Sequence, residues 1–322
     1  MKGKGSSIAL AMFVLLSLPL KAQATQLLIP VGKTIGLQLS DDTVTIVAFD
    51  DVLGGCSRDA GLKIGDEIIE IDHMDIRSPE DVRSALNTCD EDVDITVLRS
   101  GKHHTIEVEP AQTPDGKKLG VYLRQGIAGI GTVTWYDPDT GRFGALGHGV
   151  SCAKGSLLAM THGNTYHARV EAVIKGKSGQ PGQLKGSADA AFPCGSLYRN
   201  TPQGVFGITR EVWSGEPLPV AAFEEVHTGS ATIRSTVCGN EAQEYSVEIL
   251  KIYPKERIDS RNFLLKVTDP DLLNATGGIV QGMSGSPIIQ DGKLVGAVTH
   301  VLVNDPTRGY GIFIENMLTA AS

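Results

Sequence analysis

The stretch Ile279–Val301, IVQGMSGSPIIQDGKLVGAVTHV, sets a glycine-framed serine immediately before a hairpin. A serine hydroxyl is a weak nucleophile. It needs a base within hydrogen-bond reach, a group that orients the base, and donors for the developing oxyanion. Gly282-Met283-Ser284-Gly285 is suited to two of these needs. Gly282 lets the backbone turn so that its own N–H and that of Ser284 point into one hole, and Gly285 removes a side chain that would block approach. Pro287 then opens a strand through Ile288-Ile289, and Asp291-Gly292 turns the chain back into Leu294–Val298. Ser286 is the competing hydroxyl, but a serine locked against a following proline is a poor attacking group, so Ser284 is the preferred nucleophile. The bland reading of the same residues is a structural turn.

This loop resembles the nucleophile loop of chymotrypsin-type β-barrel peptidases, with Met283 standing where an acidic residue is common. The resemblance implies a histidine in a first barrel and the serine in a second. The texture from Leu119 onward agrees: short apolar or alternating runs at Gly131–Trp135, Phe143–Leu146, Arg169–Ile174, Val205–Ile208, Gly229–Ser235 and Ser246–Ile252 alternate with Gly, Pro and Asp turns. Asn316–Ala321 reads as a short closing helix. Of the eight histidines, His148 stands out in FGALGHGV (Phe143–Val150), where an apolar strand ends at a glycine-framed imidazole. His300 ends the hairpin after Ser284 and is expected near the site as a pocket or structural residue. His162, His167 and His227 sit among polar residues and read as solvated. Three aspartates compete as the orienting acid: Asp269 and Asp271 in LLKVTDPDLL, and Asp189 in GSADAAF. Each is equally at home as a turn or cap residue, and spacing does not choose among them.

Upstream, Ile35–Pro110 has another pattern. Ile35-Gly36-Leu37-Gln38-Leu39 and Thr43–Phe49 read as strands, and Asp59–Leu62 as a helical turn. Ser78 caps a helix opening at Pro79 with Glu80 and Asp81 in its first turn. Two strands, Val93–Arg99 and His104–Val108, follow. The phrase AGLKIGDEIIEIDHMDI (Ala60–Ile76) resembles the PDZ domain family. That resemblance implies an αβ sandwich over residues 30–110, with peptide bound by β-augmentation and Ile35, Gly36 and Leu37 at the carboxylate-binding loop. Packing against the neighbouring domain alone is the alternative. Gln112–Lys118 reads as a linker, and residues 115–322 as the peptidase domain. The fold class expected is therefore mainly β: a PDZ domain followed by a chymotrypsin-like double β-barrel.

The balance of 41% hydrophobic and 20% charged residues over 322 positions describes a globular chain of about two domains. Its net charge of -8 and lack of a basic aromatic stripe exclude a general nucleic-acid binder. Lys2 and Lys4, the apolar run Ile8–Leu20 and Ala22-Gln23-Ala24 read as a secretory signal over residues 1–24, or a signal anchor, so export is expected. The five cysteines form no CxxC, and no HExxH is present. No metal and no cofactor are therefore expected, and disulfides remain open with at least one thiol unpaired.

Taken together, the signal-like start, the PDZ pattern, FGALGHGV and GGIVQGMSGSPIIQDGKLVGAVTHVLVNDPTRGYGIFIENML (Gly277–Leu318) resemble the SpoIVB-type serine peptidases of endospore-forming bacteria, the stage IV sporulation protein B family. The resemblance implies Ser284 as nucleophile, His148 as base and Asp269 as acid, with Gly282 and Ser284 as oxyanion donors. It also implies an exported endopeptidase, in the space between the forespore membranes, that cleaves itself and an inhibitory subunit of a membrane metalloprotease and so releases processing of a precursor sigma factor. Peptide termini would be bound through the PDZ domain. The short region before that domain and the AQA sequence depart from the family pattern and bear on membrane tethering. The alternative is a non-catalytic PDZ signalling module with a degenerate barrel.

Overall fold

The computed structural model describes residues 26–322, apart from 90, 153, 154 and 258. The expected signal segment lies outside the described residues. Among those described, no helix is long and apolar enough to cross a membrane.

Two closed barrels carry the fold. In the first, the N-terminal half of strand Thr34–Phe49 pairs with the C-terminal half of Val121–Tyr136. The ring then runs through Arg142–Ala145, Gly204–Thr209, Gln183–Thr201 and His162–Ile174, which returns to the starting strand. The second barrel runs Gly229–Ser235, Gln243–Ile252, Phe263–Val267, Arg308–Phe313, Lys293–Val301, Pro287–Gln290 and closes on itself. The expected barrel runs lie in these strands, except that the run Phe143–Leu146 leaves its strand at Ala145, and the expected hairpin after Ser284 is present. Each barrel is filled by its inward residues: Leu37, Val133, Phe143 and Val205 in the first, Val247, Phe263, Ile288 and Val298 in the second. A third cluster joins them, with Trp135 and Phe206 meeting Leu294, Ala297 and Ile312 under the closing helix Ile314–Ala321.

The PDZ unit has its own core, including Val44, Ile68, Val82, Leu86 and Val97. Its helix Pro79–Thr88 is capped as the sequence implies, with the Ser78 hydroxyl accepting from the Asp81 N–H. The relation of the two domains differs from the serial order expected. Thr34–Phe49 and Val121–Tyr136 are each 16 residues long and form one ribbon. Its Thr34–Leu39 end is a barrel strand, while its Val44–Phe49 end pairs with Val121–Gln125 and with the PDZ strand Glu67–Ile71. The PDZ unit is thus inserted between the first and second strands of the first barrel. Gly126, at φ 71°, marks the transition: a Cβ there would lie 1.9 Å from Leu39 O. Gln112–Lys118, expected as a plain linker, forms most of a small hairpin, Ala111–Thr113 with Gly116–Lys118.

This arrangement corrects one site expectation. Ile35, Gly36 and Leu37 pair on one side with Gly131, Ile130 and Gly129, and on the other with His167, Tyr166 and Thr165. With both edges occupied, they offer no backbone donors to a peptide carboxylate.

Candidate active site

His148 and Ser284 line the same cavity, about 590 Å³, at the junction of the barrels, together with Leu146, Gly149, Gly282, Thr299 and His300. The local backbone explains how they arrive there. Strand Arg142–Ala145 ends in two successive left-handed residues, Leu146 at φ 69° and Gly147 at φ 68°. A non-glycine residue in that region is strained, and such strain concentrates where a side chain must be aimed. The turn carries His148 off the strand into the cavity. On the other barrel, Gly282 at φ 100° and Gly285 at φ 96° bracket Ser284.

Gly285 meets a steric requirement that the sequence only hinted at. A Cβ on it would lie 2.1 Å from Thr132 O and 2.5 Å from Leu146 N, so the Ser284 loop rests directly on the base of the His148 turn. Threonines of the first barrel hold it there. Thr132 Oγ1 donates to Gly282 O at 2.8 Å, Thr132 N to Ser284 O at 3.2 Å, and Thr134 Oγ1 to Gly285 O at 2.8 Å. Beneath the loop, Met283 is buried in the second-barrel core. The Ser286 hydroxyl, also buried, donates to Met283 O at 2.7 Å and contacts Ser235 Oγ at 3.0 Å, so it supports the loop.

Within the cavity the Ser284 hydroxyl donates to Thr299 O at 2.8 Å. His148 Nδ1 lies 2.9 Å from Gly149 O. With the proton on Nδ1, donated to that carbonyl, Nε2 is left as the acceptor. Burial pushes the His148 imidazole below its ordinary range, while its hydrogen bond to Gly149 opposes the shift. His300 stacks obliquely on it, ring centroids 5.2 Å apart and planes at 39°. The His300 imidazole is pushed down to about 4, first by burial, then by the neighbouring His148 and Arg261, against the Asp259 carboxylate. Its Nδ1 is buried without a hydrogen-bond partner. Two obliquely stacked imidazoles of lowered basicity therefore share the cavity with Ser284, and His300, expected only as a pocket or structural residue, is one of them. The Gly282 and Ser284 N–H groups make no backbone hydrogen bond among the described residues.

The expected acid is not brought to this place. Asp269 is the N-cap of helix Pro270–Thr276: its Oδ1 accepts from Asp271 N and Leu272 N, both at 3.0 Å, and its Oδ2 from Ser246 N at 3.2 Å. Asp-Pro ahead of an apolar turn is a helix-start signal, and that reading accounts for the residue. Asp271 is in the first turn of the same helix. Asp189 lies on the outside of strand Gln183–Thr201, lining a different cavity. Cys56, Cys89, Cys194 and Cys238 are free thiols.

No curated protein matches the chain. Among solved structures, the chain is similar to the Rv3671c protease of M. tuberculosis. The inactive form is 15% identical over 60% of this chain and 82% of that one, with a TM-score of 0.34. The active form is 15% identical over 62% and 75%, with a TM-score of 0.35. A PDZ domain model matches residues 34–109. The SpoIVB peptidase S55 model matches residues 115–318, most of the chain, and takes in the serine and histidine turns, the second barrel and five of the six strands of the first. The chain belongs to the SpoIVB peptidase S55 family and is a serine peptidase carrying a PDZ domain.

Proposed function

We propose that the chain is an exported serine endopeptidase of sporulation signalling, with Ser284 as nucleophile and His148 as general base. The observation that carries the assignment is the shared cavity at the barrel junction, where the two glycine-framed turns meet. The Ser284 hydroxyl rotates from Thr299 O toward His148 Nε2 and attacks the scissile carbonyl as its proton passes to the imidazole. The N–H groups of Gly282 and Ser284 receive the oxyanion. The imidazolium then protonates the leaving amine, and water releases the acyl group by the same route in reverse. The Gly149 carbonyl, rather than a carboxylate, fixes the His148 tautomer.

The family supports the finer reading: cleavage of itself and of an inhibitory subunit of a membrane metalloprotease, between the forespore membranes, leading to processing of a precursor sigma factor. Peptide termini would add to the outer edge of Val121–Gln125, whose only strand partner among the described residues is Val44–Phe49. Ser284→Ala is expected to abolish fluorophosphonate labelling and self-cleavage, a rate loss of about 10⁴ to 10⁶, while leaving the circular dichroism spectrum unchanged. Labelling that persists in the alanine variant would remove Ser284 from the mechanism. A Ser284→Ala chromosomal replacement that still processes the sigma-factor precursor would remove the signalling role.

A further inference from the structure

Three side chains of metal-ligand type meet where the pairing of the first barrel breaks. Between strands His162–Ile174 and Gln183–Thr201, Thr165 pairs with Gly195 but Tyr166 with Pro193, leaving Cys194 as the extra residue of a bulge. The pairing next jumps from Tyr166–Pro193 to Ala168–Ala188, so residues 189–192 loop out opposite His167. Bulges re-aim side chains. Here the His167 imidazole, the Cys194 thiol and the Glu211 carboxylate converge, with one ligand atom from each all within 4.8 Å of one another. His167 Nε2 lies 2.7 Å from the Glu211 carboxylate. Thr209 holds both partners from behind: its Oγ1 donates to Cys194 O at 2.9 Å and accepts from Glu211 N at 3.0 Å. The three line a cavity of about 590 Å³ that shares no residue with the one containing His148 and Ser284.

We propose that His167, Cys194 and Glu211 form a binding site for a zinc-class divalent cation. The donor set decides the class. A thiolate and an imidazole beside one carboxylate suit zinc and its borderline neighbours and disfavour calcium and magnesium, which take oxygen ligands. The thiolate and carboxylate together neutralise a dipositive ion. Zinc bonds of about 2.0–2.3 Å draw the three atoms around one centre. The His167–Glu211 contact is replaced by bonds to the ion, and the Cys194 proton is released to solvent. Three protein ligands leave a fourth tetrahedral position for water from the cavity. The ion would cross-link two strands and the segment after Gly204–Thr209 where their ladder is interrupted. No sequence motif announces the site, because its ligands lie 27 and 17 residues apart and only the bulge brings them together.

The test is titration of the reduced, metal-free protein with cobalt(II). A thiolate-to-cobalt charge-transfer band should saturate at one equivalent and be displaced by zinc. It should vanish in Cys194→Ser and persist in Cys152→Ser and Cys238→Ser. His167→Ala and Glu211→Gln should each weaken affinity at least about tenfold. A band retained in Cys194→Ser, or undiminished affinity in both of the other variants, overturns the proposal. In the wild-type protein, saturating zinc should protect Cys194 from iodoacetamide, read by mass spectrometry of its peptide. Alkylation of Cys194 unaffected by zinc overturns it without recourse to any variant.

Discussion

At the scale of single residues, the two imidazoles of the cavity make a pH prediction with a definite sign. His148 and His300 are both held below the ordinary imidazole range, His300 at about 4. The unfolded chain therefore takes up protons before the folded one as pH falls. Stability from the half-buried neutral rings is fully present above about 6.5, the unperturbed value, and is lost as pH falls from there toward about 4. Urea midpoints at pH 7.5 and pH 5 should show this loss in the wild type and a smaller one in His300→Gln; equal losses would mean that His300 does not titrate in this window. The same lowering keeps the base neutral in mild acid, so the acid limb of kcat/KM should fall below 6.5. Asp269 supplies a second test. Asparagine caps a helix as well as aspartate but carries no charge. Asp269→Asn should therefore keep the cap through its one oxygen, lower the melting temperature slightly because its amide nitrogen no longer accepts from Ser246 N, and lose less than about tenfold in kcat. A loss near 10⁴, the scale for removing a triad carboxylate, would instead make Asp269 the orienting acid.

At the scale of elements, the site depends on two turns touching. Gly285→Ala combines a φ of 96°, costly for any L-residue, with a Cβ driven into Thr132 O and Leu146 N. The backbone term alone is about 1–2 kcal/mol, and the clash must push the Ser284 loop off the His148 turn. Gly292→Ala is the matched control: it has φ 73° and open space around its Cβ. Both variants should lower thermal stability, but only Gly285→Ala should lose fluorophosphonate labelling. Full labelling of Gly285→Ala would mean that the contact between turns is dispensable. These two turns were legible in the sequence because glycine records a backbone constraint locally, as do Pro79 and Ser78 at the PDZ helix. Asp269 misled for a related reason. An aspartate at a strand end serves equally as acid or as cap, and only the N–H groups of Asp271, Leu272 and Ser246 around its carboxylate distinguish them. His167, Cys194 and Glu211 were opaque because a bulge leaves no compositional trace.

At the scale of the whole molecule, the feature hidden from the sequence is connectivity. Thr34–Leu39 has the alternation of a strand wherever it pairs, and PDZ-like phrases follow it directly, so a serial division of the chain is the natural reading. The pairing assigns it to the first barrel, between Val121–Tyr136 and His162–Ile174. Two shortened chains separate these descriptions. In one, residues 115–322 stand alone, which suffices if the domains are serial. By the structure, this removes one of the six strands of the first barrel, takes Leu37 and Leu39 out of its core, and opens two long sheet edges, a state prone to aggregation. In the other, residues 41–125 are deleted so that Leu39 and Ile127, already cross-strand partners, are joined through Ser40 and Gly126. Changing Ser40 to asparagine makes this an Asn-Gly hairpin turn, and Gly126 already has the left-handed backbone that turn needs. The deletion chain should be soluble, melt cooperatively and react with a fluorophosphonate at Ser284. Residues 115–322 alone should aggregate or remain unlabelled. A folded, labelled 115–322 fragment would show that Thr34–Leu39 is not a constituent strand of the barrel. An unfolded deletion chain would show that the PDZ unit, beyond the strand it delivers, is needed to close it.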